Sequence, residues 1–409
     1  MKKLHIIVVE PINGGGLLHF SYQLCNALSK NGAEIELITG TGYELDALPH
    51  HFKAQKILKL WNAFEDRSVD IKLNFFQKQM ANLFRKIRRL PRAFRAIWAW
   101  VTLTRYILRA KPDWVLFSVL EYRFQSFFAG YLKMRGISLS QMCHEFEERE
   151  KSTFEITILK QLSVLWYSSF SRIFLLSEDA RSRFLNAFHF VDAHKVISIP
   201  HGNSEWLLAI QSQSKKDVLR EKYGIKEKEA VVVFFGLLSP SKGIEDLIEG
   251  FALALKSCNA KLVIAGYPTK YINASTLKDL VTRLNILDKV ILDLQYVPLD
   301  EIGALMDLAT VVVYPYLSST QSGALQTAYT FGKPVIATKV GGLPEVVEDG
   351  KSGFLIAPRA PQEIAEKISF MVNNPIEAKK MGEYAKDLSE TRFDWKVVAQ
   401  KMLDAYQQS

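Results

Sequence analysis

Short apolar runs, separated by polar turns and by stretches with helical spacing, recur along the whole chain. In the first half, residues 4–9 (LHIIVV), 34–39 (EIELIT), 114–118 (WVLFS), 138–143 (SLSQMC), 172–176 (RIFLL) and 196–199 (VISI) read as β-strands. Between them, residues 17–30 carry Leu18, Tyr22, Cys25 and Leu28 at helical spacing, and further helices are expected near 122–134, 155–169 and 178–188. The second half repeats the pattern more strongly. Residues 230–235 (AVVVFF), 261–265 (KLVIA), 290–293, 311–314 and 334–337 are almost continuously apolar, as strands buried on both faces must be. Helices are expected near 243–256, 273–285, 300–308, 322–331 and 361–373. This alternation predicts parallel strands joined by crossover helices.

With 409 residues, the chain exceeds one ordinary core, so the pattern divides into two doubly wound α/β domains. The expected division is an N-terminal domain at 1–200, a linker at 201–216 where HGNSEW leads into QSQSKKD, and a C-terminal domain at 217–390. A last helix within 391–409 is expected to return to the first domain. In such folds the ligand is expected in the cleft outside the carboxyl ends of the strands.

Composition narrows the class. Apolar residues make up 48% and charged residues 23%, which excludes a disordered chain. Three widely spaced cysteines, Cys25, Cys143 and Cys258, argue against a disulfide framework and for a reducing compartment. The apolar run after MKKLH ends at Glu10 and is too short for a signal-peptide core. No stretch approaches the roughly 18–20 apolar residues of a membrane-spanning helix. The expectation is a cytoplasmic protein, soluble or peripheral. Its charge of +9 is uneven, because residues 71–112 hold eleven basic side chains and no acidic one. That asymmetry points to an anionic partner for one domain only.

Three segments carry candidate chemistry. Gly14-Gly15-Gly16 lies between the first strand and its helix, where glycines let a ligand approach the backbone and the helix start offers free N–H groups. The spacing is not GxGxxG, which weakens a dinucleotide reading. In residues 234–252 (FFGLLSPSKGIEDLIEGFA) a strand ends at Gly236 and a turn presents Lys242-Gly243, a mobile cation suited to phosphate. In residues 314–358, a strand runs into a loop of small hydroxyl residues and then a helix starting near Gly323, which again exposes amides to an anion. No Asp-rich or His/Cys cluster marks a metal site, and neither a metal nor another cofactor is expected.

The ordered string FFGLLSPSKGIEDLIEGFA, KLVIAG, GKPVIATKVGGLPEVVEDGKSGFLIAP and FDWKVVAQKMLDAY resembles the C-terminal half of GT-B retaining glycosyltransferases of family 4, among them bacterial polysaccharide transferases. PINGGGLLHFSYQLCNALSKNGAEIELIT, HEF at 144–146, RIFLLSEDARSRFL and VISIPHGN extend the resemblance over nearly the whole chain. It implies the GT-B fold, two Rossmann-like domains facing across a cleft, and a nucleoside diphosphate sugar as co-substrate. Carried over by position, it implies that Gly15, Gly16, Lys242, Ser322, Gly323 and Ala324 hold the donor diphosphate, with Lys242 neutralising the leaving group. His144 would stand near the transferred sugar. Tyr296, Val297 and Thr327 would contact the nucleoside, and Ser319, Thr320 and Gln321 the donor sugar. The departures are specific. Leu237 stands where the family usually has arginine, and Ser319 and Thr327 where it usually has two glutamates. A non-catalytic GT-B protein that supports a partner enzyme is the alternative these losses motivate.

Within the basic stretch, a helical wheel over 83–101 places Arg85, Arg88, Arg89, Arg92 and Arg95 on one side and Phe84, Ile87, Phe94, Trp98 and Val101 on the other. Pro91 is expected to kink or restart this helix. Basic residues beside Trp and Phe fit an interfacial helix on an anionic membrane, where a lipid-linked glycan acceptor would be found. No nucleic-acid-binding motif is present. The sequence thus points to a sugar transferase of polysaccharide biosynthesis, peripheral at the inner membrane face.

Overall fold

In the computed structural model, the apolar runs form two separate, wholly parallel sheets. The structure describes residues 3–58, 75–119, 124–147 and 163–408, with side chains described outside 75–90 and 213–214. The chain divides into two units. The first comprises Met1–Leu176, Arg181–Ile199 and Val398–Ser409, and the second Ser177–Ala180 and Pro200–Val397.

The first unit holds β1 (His5–Val9), β2 (Glu34–Gly40), β3 (Lys53–Leu58), β4 (Trp114–Phe117), β5 (Leu139–Met142), β6 (Arg172–Leu175) and β7 (Val196–Ser198). Their order is β3-β2-β1-β4-β5-β6-β7. The second unit holds β8 (Ala230–Phe235), β9 (Ala260–Ala265), β10 (Val290–Asp293), β11 (Val311–Tyr314), β12 (Val335–Thr338) and β13 (Gly353–Ile356), ordered β10-β9-β8-β11-β12-β13. Counted from its own first strand, the second sheet has the doubly wound order 3-2-1-4-5-6. In both sheets the winding reverses beside the first strand, between β1 and β4 and between β8 and β11. Both central pairs are fully parallel in register, as Ile6↔Trp114 and Val311↔Val232 show.

The α/β class and the two Rossmann-like sheets follow the expectation from sequence. Two strands had not been foreseen, and both are outermost in their sheets. β3 (KAQKIL) pairs only with β2, so it needs no second apolar face and its pattern stays polar. β13 (GFLI) is four residues long and pairs only with β12. The stretch read as a linker from its polarity is largely helical, at Trp206–Ile210 and Gln213–Lys222. Its start is tied into the second unit. Asn203 Nδ2 donates to Ser389 O at 2.9 Å, and Trp395 Nε1 donates to Asn203 O at 2.8 Å.

Helix Trp395–Gln407 begins in the second unit, and from Val398 it clusters with the first, where Tyr406 and Ser140 share a 2.8 Å hydroxyl contact. Helix α1 is Gly16–Lys30, α2 Phe75–Ala110 and α3 Gln125–Met134. α2 runs unbroken through Pro91, so the helix does not restart there. Proline removes one N–H and crowds one carbonyl, and a 36-residue helix carries enough other bonds to continue past it. Part of the helix expected at 155–169 falls outside the described residues, and 163–168 is helical.

Candidate functional site

In the second unit, the reversal of winding brings together the segments that follow β8 and β11. β8 ends at Phe235, Gly236 follows, Leu237 is exposed, and the turn Pro240–Lys242 leads to Gly243. Gly243 has φ +63°, and a Cβ there would stand 2.0 Å from Pro315 O, so only glycine lets this turn approach the β11 loop. Leu317 N–H donates to Ser241 O at 2.8 Å, which locks the two segments side by side.

The lock positions a cation. Lys242 Nζ lies 3.6 Å from the centroid of the Tyr316 ring. Tyr316 is buried, which pushes its phenol up to about 12, so it stays protonated at neutral pH. Its hydroxyl lies 3.2 Å from Ser322 Oγ, the cap of helix Gly323–Thr330. Ser322 Oγ accepts from Leu325 N–H at 3.2 Å, and Ser322 O accepts from Gln326 N–H at 3.3 Å. The next two amides, of Gly323 and Ala324, are left at the helix start for a ligand. Ala324 lies close to the end of β8, since a Cβ on Gly236 would stand 3.7 Å from its Cβ. A lysine, two amides and a helix start therefore converge on one place, an arrangement that can receive an anion.

The hydroxyl loop before the helix is held from two sides. Ser319 Oγ donates to Gln321 O at 2.9 Å, and Gln321 Oε1 accepts from Ser322 N–H at 2.5 Å. Gly342 N–H donates to Thr320 O at 3.2 Å. Ser319, Thr320 and Ser322 are buried, while Gln321, Gly323 and Ala324 are partly exposed. Thr327 does not fit its expected contact with a nucleoside. It is 5% exposed, its hydroxyl donates to Gly323 O at 3.2 Å, and it lies 2.9 Å from Ser204 Oγ. A threonine one turn into a helix satisfies itself on the backbone and the neighbouring chain, whereas a longer carboxylate would reach outward.

Tyr296, 42% exposed, and Val297 follow β10. The end of that strand is organised by Asp293. Burial alone would raise its carboxyl, but hydrogen bonds from Lys222, Tyr223 and Gln295 at 2.8, 2.6 and 2.8 Å hold it below the usual range.

One residue the sequence reading passed over stands against the anion seat. His201, in the supposed linker, is 2.7 Å from Gly202 O through Nδ1, so Nδ1 carries the proton and Nε2 holds a lone pair. A Cβ on Gly323 would come within 3.1 Å of that Nε2. Burial lowers the imidazole to about 4, so it is neutral at physiological pH. The only sequence signal was the glycine itself at the helix start, which leaves room for a ring that lies far away in the chain.

In the first unit, the glycine loop is arranged differently from expectation. Gly15 N–H donates to Glu44 Oε2 at 2.8 Å, and His19 Nε2 lies 2.8 Å from the same oxygen. Glu44 N–H donates to Asn13 O at 2.8 Å, which fixes the two loops together. The start of α1 thus already has an anionic partner, supplied by the chain. Gly15 as a phosphate contact needs correction to that extent, while Gly16 faces open space, with nothing within 4 Å of a Cβ. Upstream, the buried Glu10 accepts from Ile12 N–H and Ser21 Oγ at 2.9 and 2.8 Å. His144, just after β5, meets the ring of Phe20 on α1 edge-on at 4.9 Å.

Arg85, Arg88 and Arg89 lie on α2 where side chains are outside the described set, while Arg92 is partly exposed and Arg95 exposed. The apolar side drawn on the wheel is not the buried one. Phe94 and Trp98 are 68% and 57% exposed, and α2 buries Ala96, Ala99, Trp100, Leu103 and Ile107 instead. Among the described residues, no group of His, Cys, Asp and Glu is placed to hold a metal ion, and no helix is long and apolar enough to cross a membrane.

Two parallel doubly wound sheets, with an anion seat at a reversal of winding, define the fold class as that of the GT-B glycosyltransferases. Solved structures agree over the full length. HepE of Anabaena, in complex with UDP-glucose, matches with TM-score 0.70 and 19% identity over 99% of each chain. Sucrose-phosphate synthase from Thermosynechococcus elongatus matches with TM-score 0.70 and 18% identity over 99% of each. At these identities the likeness is one of fold.

Residues 215–388, which contain the seat, match the family model of glycosyl transferases group 1. An uncharacterized glycosyltransferase of Methanocaldococcus jannaschii is 30% identical over 213 residues, covering 52% of this chain and 54% of that protein. The N-acetyl-alpha-D-glucosaminyl L-malate synthase of Bacillus anthracis is 28% identical over 191 residues, 46% of this chain and 48% of that one. The chain spans about half the length of the curated relatives it matches.

Proposed function

We propose that the protein is a glycosyltransferase that moves a sugar from a nucleoside diphosphate sugar to a hydroxyl of a glycan. The observation that carries this reading is the convergence of Lys242 with the Gly323 and Ala324 amides where the second sheet reverses its winding. Breaking the bond between the anomeric carbon and the diphosphate leaves negative charge on the departing oxygen. Preorganised amides and a lysine stabilise that charge without rearranging. The acceptor oxygen forms the new bond to the anomeric carbon and gives up its proton to the departing diphosphate, with configuration retained as in the family the sequence resembles.

In this reading Ser319, Thr320 and Gln321 contact the donor sugar through neutral hydrogen bonds, and Tyr296 and Val297 contact the base. His144 stands near the transferred sugar. Ser322 Oγ accepts from Leu325 N–H and so caps the helix, which leaves its hydroxyl proton to donate to the diphosphate. The donor class is supported by a neighbour of the same fold that was solved with UDP-glucose. No step is assigned to a metal. The acceptor is a lipid-linked saccharide of polysaccharide biosynthesis, met at the cytoplasmic membrane face through α2, the helix that carries Arg85, Arg88, Arg89, Arg92, Arg95 and Trp98.

The neutral residues Ser319 and Thr327, where the family usually has glutamates, favour one second reading. In it the chain binds the nucleotide sugar without turnover and supports a partner enzyme. Incubation of the purified protein with UDP-, GDP- and ADP-sugars and saccharide acceptors separates the two. Release of nucleoside diphosphate with one donor is the expected result. Binding without release across the whole panel would overturn transfer in favour of the second reading.

A further inference from the structure

The outward side of α2 continues onto α3 as one apolar surface. Phe94, Trp98, Val101, Arg105 and Leu108 follow one another at intervals of four and three residues, so they line a single stripe of the helix. Phe94 and Trp98 are the most exposed of these apolar side chains, and their rings stack at 6.4 Å. The stripe is not needed for packing, because the opposite side of α2 is the buried one and seats Trp100 against Phe117 at 5.5 Å.

α3 repeats the arrangement. It buries Ala129 and Leu132 and turns Phe127, Tyr131 and Met134 outward, at 65%, 42% and 79% exposure. Between the two helices runs a groove of about 330 Å³, lined by Val101, Leu108, Phe127 and Tyr131, with the exposed Arg105 among them. A contiguous apolar surface of this kind marks a contact with something apolar.

Charge decides what that something is. α2 carries nine basic residues and no acidic one, and α3 carries no acidic residue either. Arg95, Arg105 and Arg109 are all exposed. Long guanidinium side chains reach upward while their stems lie along apolar surface. We infer that α2 and α3 together form one docking surface for an anionic phospholipid bilayer. Phe94, Trp98, Phe127 and Met134 enter the acyl boundary, a lipid chain lies in the groove, and Arg105 meets its phosphate. The inference extends the membrane contact proposed for α2 to a second helix and to hydrophobic insertion. It needs neither donor nor acceptor, so its failure is separate from failure of sugar transfer.

Co-sedimentation of the full chain with phosphatidylcholine vesicles, with and without phosphatidylglycerol, tests it. The wild type should sediment with the anionic vesicles and much less with the neutral ones. Arg105→Gln should weaken anionic binding by about fivefold. Phe127→Ser combined with Met134→Ser should weaken it by roughly tenfold, although α3 is distant in sequence from the basic cluster. Both altered side chains are exposed, so an unchanged melting temperature should accompany the loss. Lipids carrying a doxyl quencher in the acyl chain should quench part of the tryptophan fluorescence, and Trp98→Phe should remove that part. Full binding by the Phe127/Met134 double variant would overturn the inference, as would equal binding to both vesicle types. A solution dimer broken by the same double variant would overturn it too, since the occupant would then be a second copy of the chain.

Discussion

Gly341 offers a perturbation whose size can be worked out. It has φ +52°, and a Cβ there would stand 1.8 Å from Ser319 O, in the loop that leads through Gln321 to the Ser322 cap and the Gly323 amide. Gly341→Ala imposes two separate costs. The left-handed dihedral costs an L-residue roughly 1–2 kcal/mol. Relief of the overlap requires the loop to retreat by roughly 1 Å, and a misplacement of that size can cost about a hundredfold in rate when it moves a binding group. Gly350 isolates the first cost, because it has φ +75° and nothing within 4 Å of its Cβ. For a unit of this size each kcal/mol lowers Tm by about 2–4 °C. Both alanine variants should therefore lose several degrees in a thermal melt. Only Gly341→Ala should also weaken binding of the nucleoside diphosphate of the donor that the panel identifies, by tenfold or more in calorimetry, and lower turnover further. If the two variants bound that nucleoside diphosphate equally well, the hydroxyl loop would not be holding the anion seat, and the reasoning would be refuted.

Three further outcomes follow from the same geometry. Glu44→Gln removes the charge from the Gly15 amide while keeping an acceptor there; pyrophosphate binding should tighten about two- to fivefold in calorimetry, and unchanged affinity would show that Glu44 does not compete for an anion. Leu237→Arg, at an exposed position after Gly236, should tighten binding of the donor's nucleoside diphosphate about tenfold by adding the missing cation, and no change in the dissociation constant would contradict the placement of the seat. His201 is lowered by burial to about 4, below roughly 6.5 in the unfolded chain, so the unfolded state takes up the proton first. Its contribution is complete above about pH 6.5 and is lost as pH falls toward 4, by as much as roughly 3 kcal/mol. His201→Asn should flatten the fall of the urea midpoint across that window, and an unaltered pH slope would refute the assignment.

How much of this was legible in the sequence depended on what each element must satisfy. Central strands are buried on both faces, so AVVVFF and VVVY could hardly be anything else, and β8 and β11 have the bounds read from sequence. Among the outermost strands, β7 and β10 kept an apolar run and were read, whereas β3, which satisfies one ladder only, can afford a polar pattern and was hidden, as was the four-residue β13. The 201–216 segment looked like a linker because its apolar residues are few. Yet Gly202 packs against Trp395, nearly two hundred residues away, where a Cβ would meet the indole. No local pattern encodes such a partner.

The seat itself was legible as a lysine, a run of hydroxyls and a glycine in the right order. The Tyr316 ring under Lys242 and the His201 imidazole beside Gly323 were not, since both depend on which segments the sheet brings together. The basic helix was legible as amphipathic, and Phe94 and Trp98 on the apolar side of its wheel lie on the surface; what the wheel over 83–101 did not single out is the stripe of alanines and Trp100 that α2 buries.

The most direct test of the donor seat is the effect of Lys242→Ala on nucleoside diphosphate release, measured with the donor that the panel identifies. Lys242 is held over Tyr316 and outside the sheet core, so the variant should fold and melt close to the wild type. Loss of one preorganised partner of the departing oxygen should lower turnover by about 10²–10³-fold. Turnover equal to wild type in a folded Lys242→Ala protein would contradict the proposed role of this lysine.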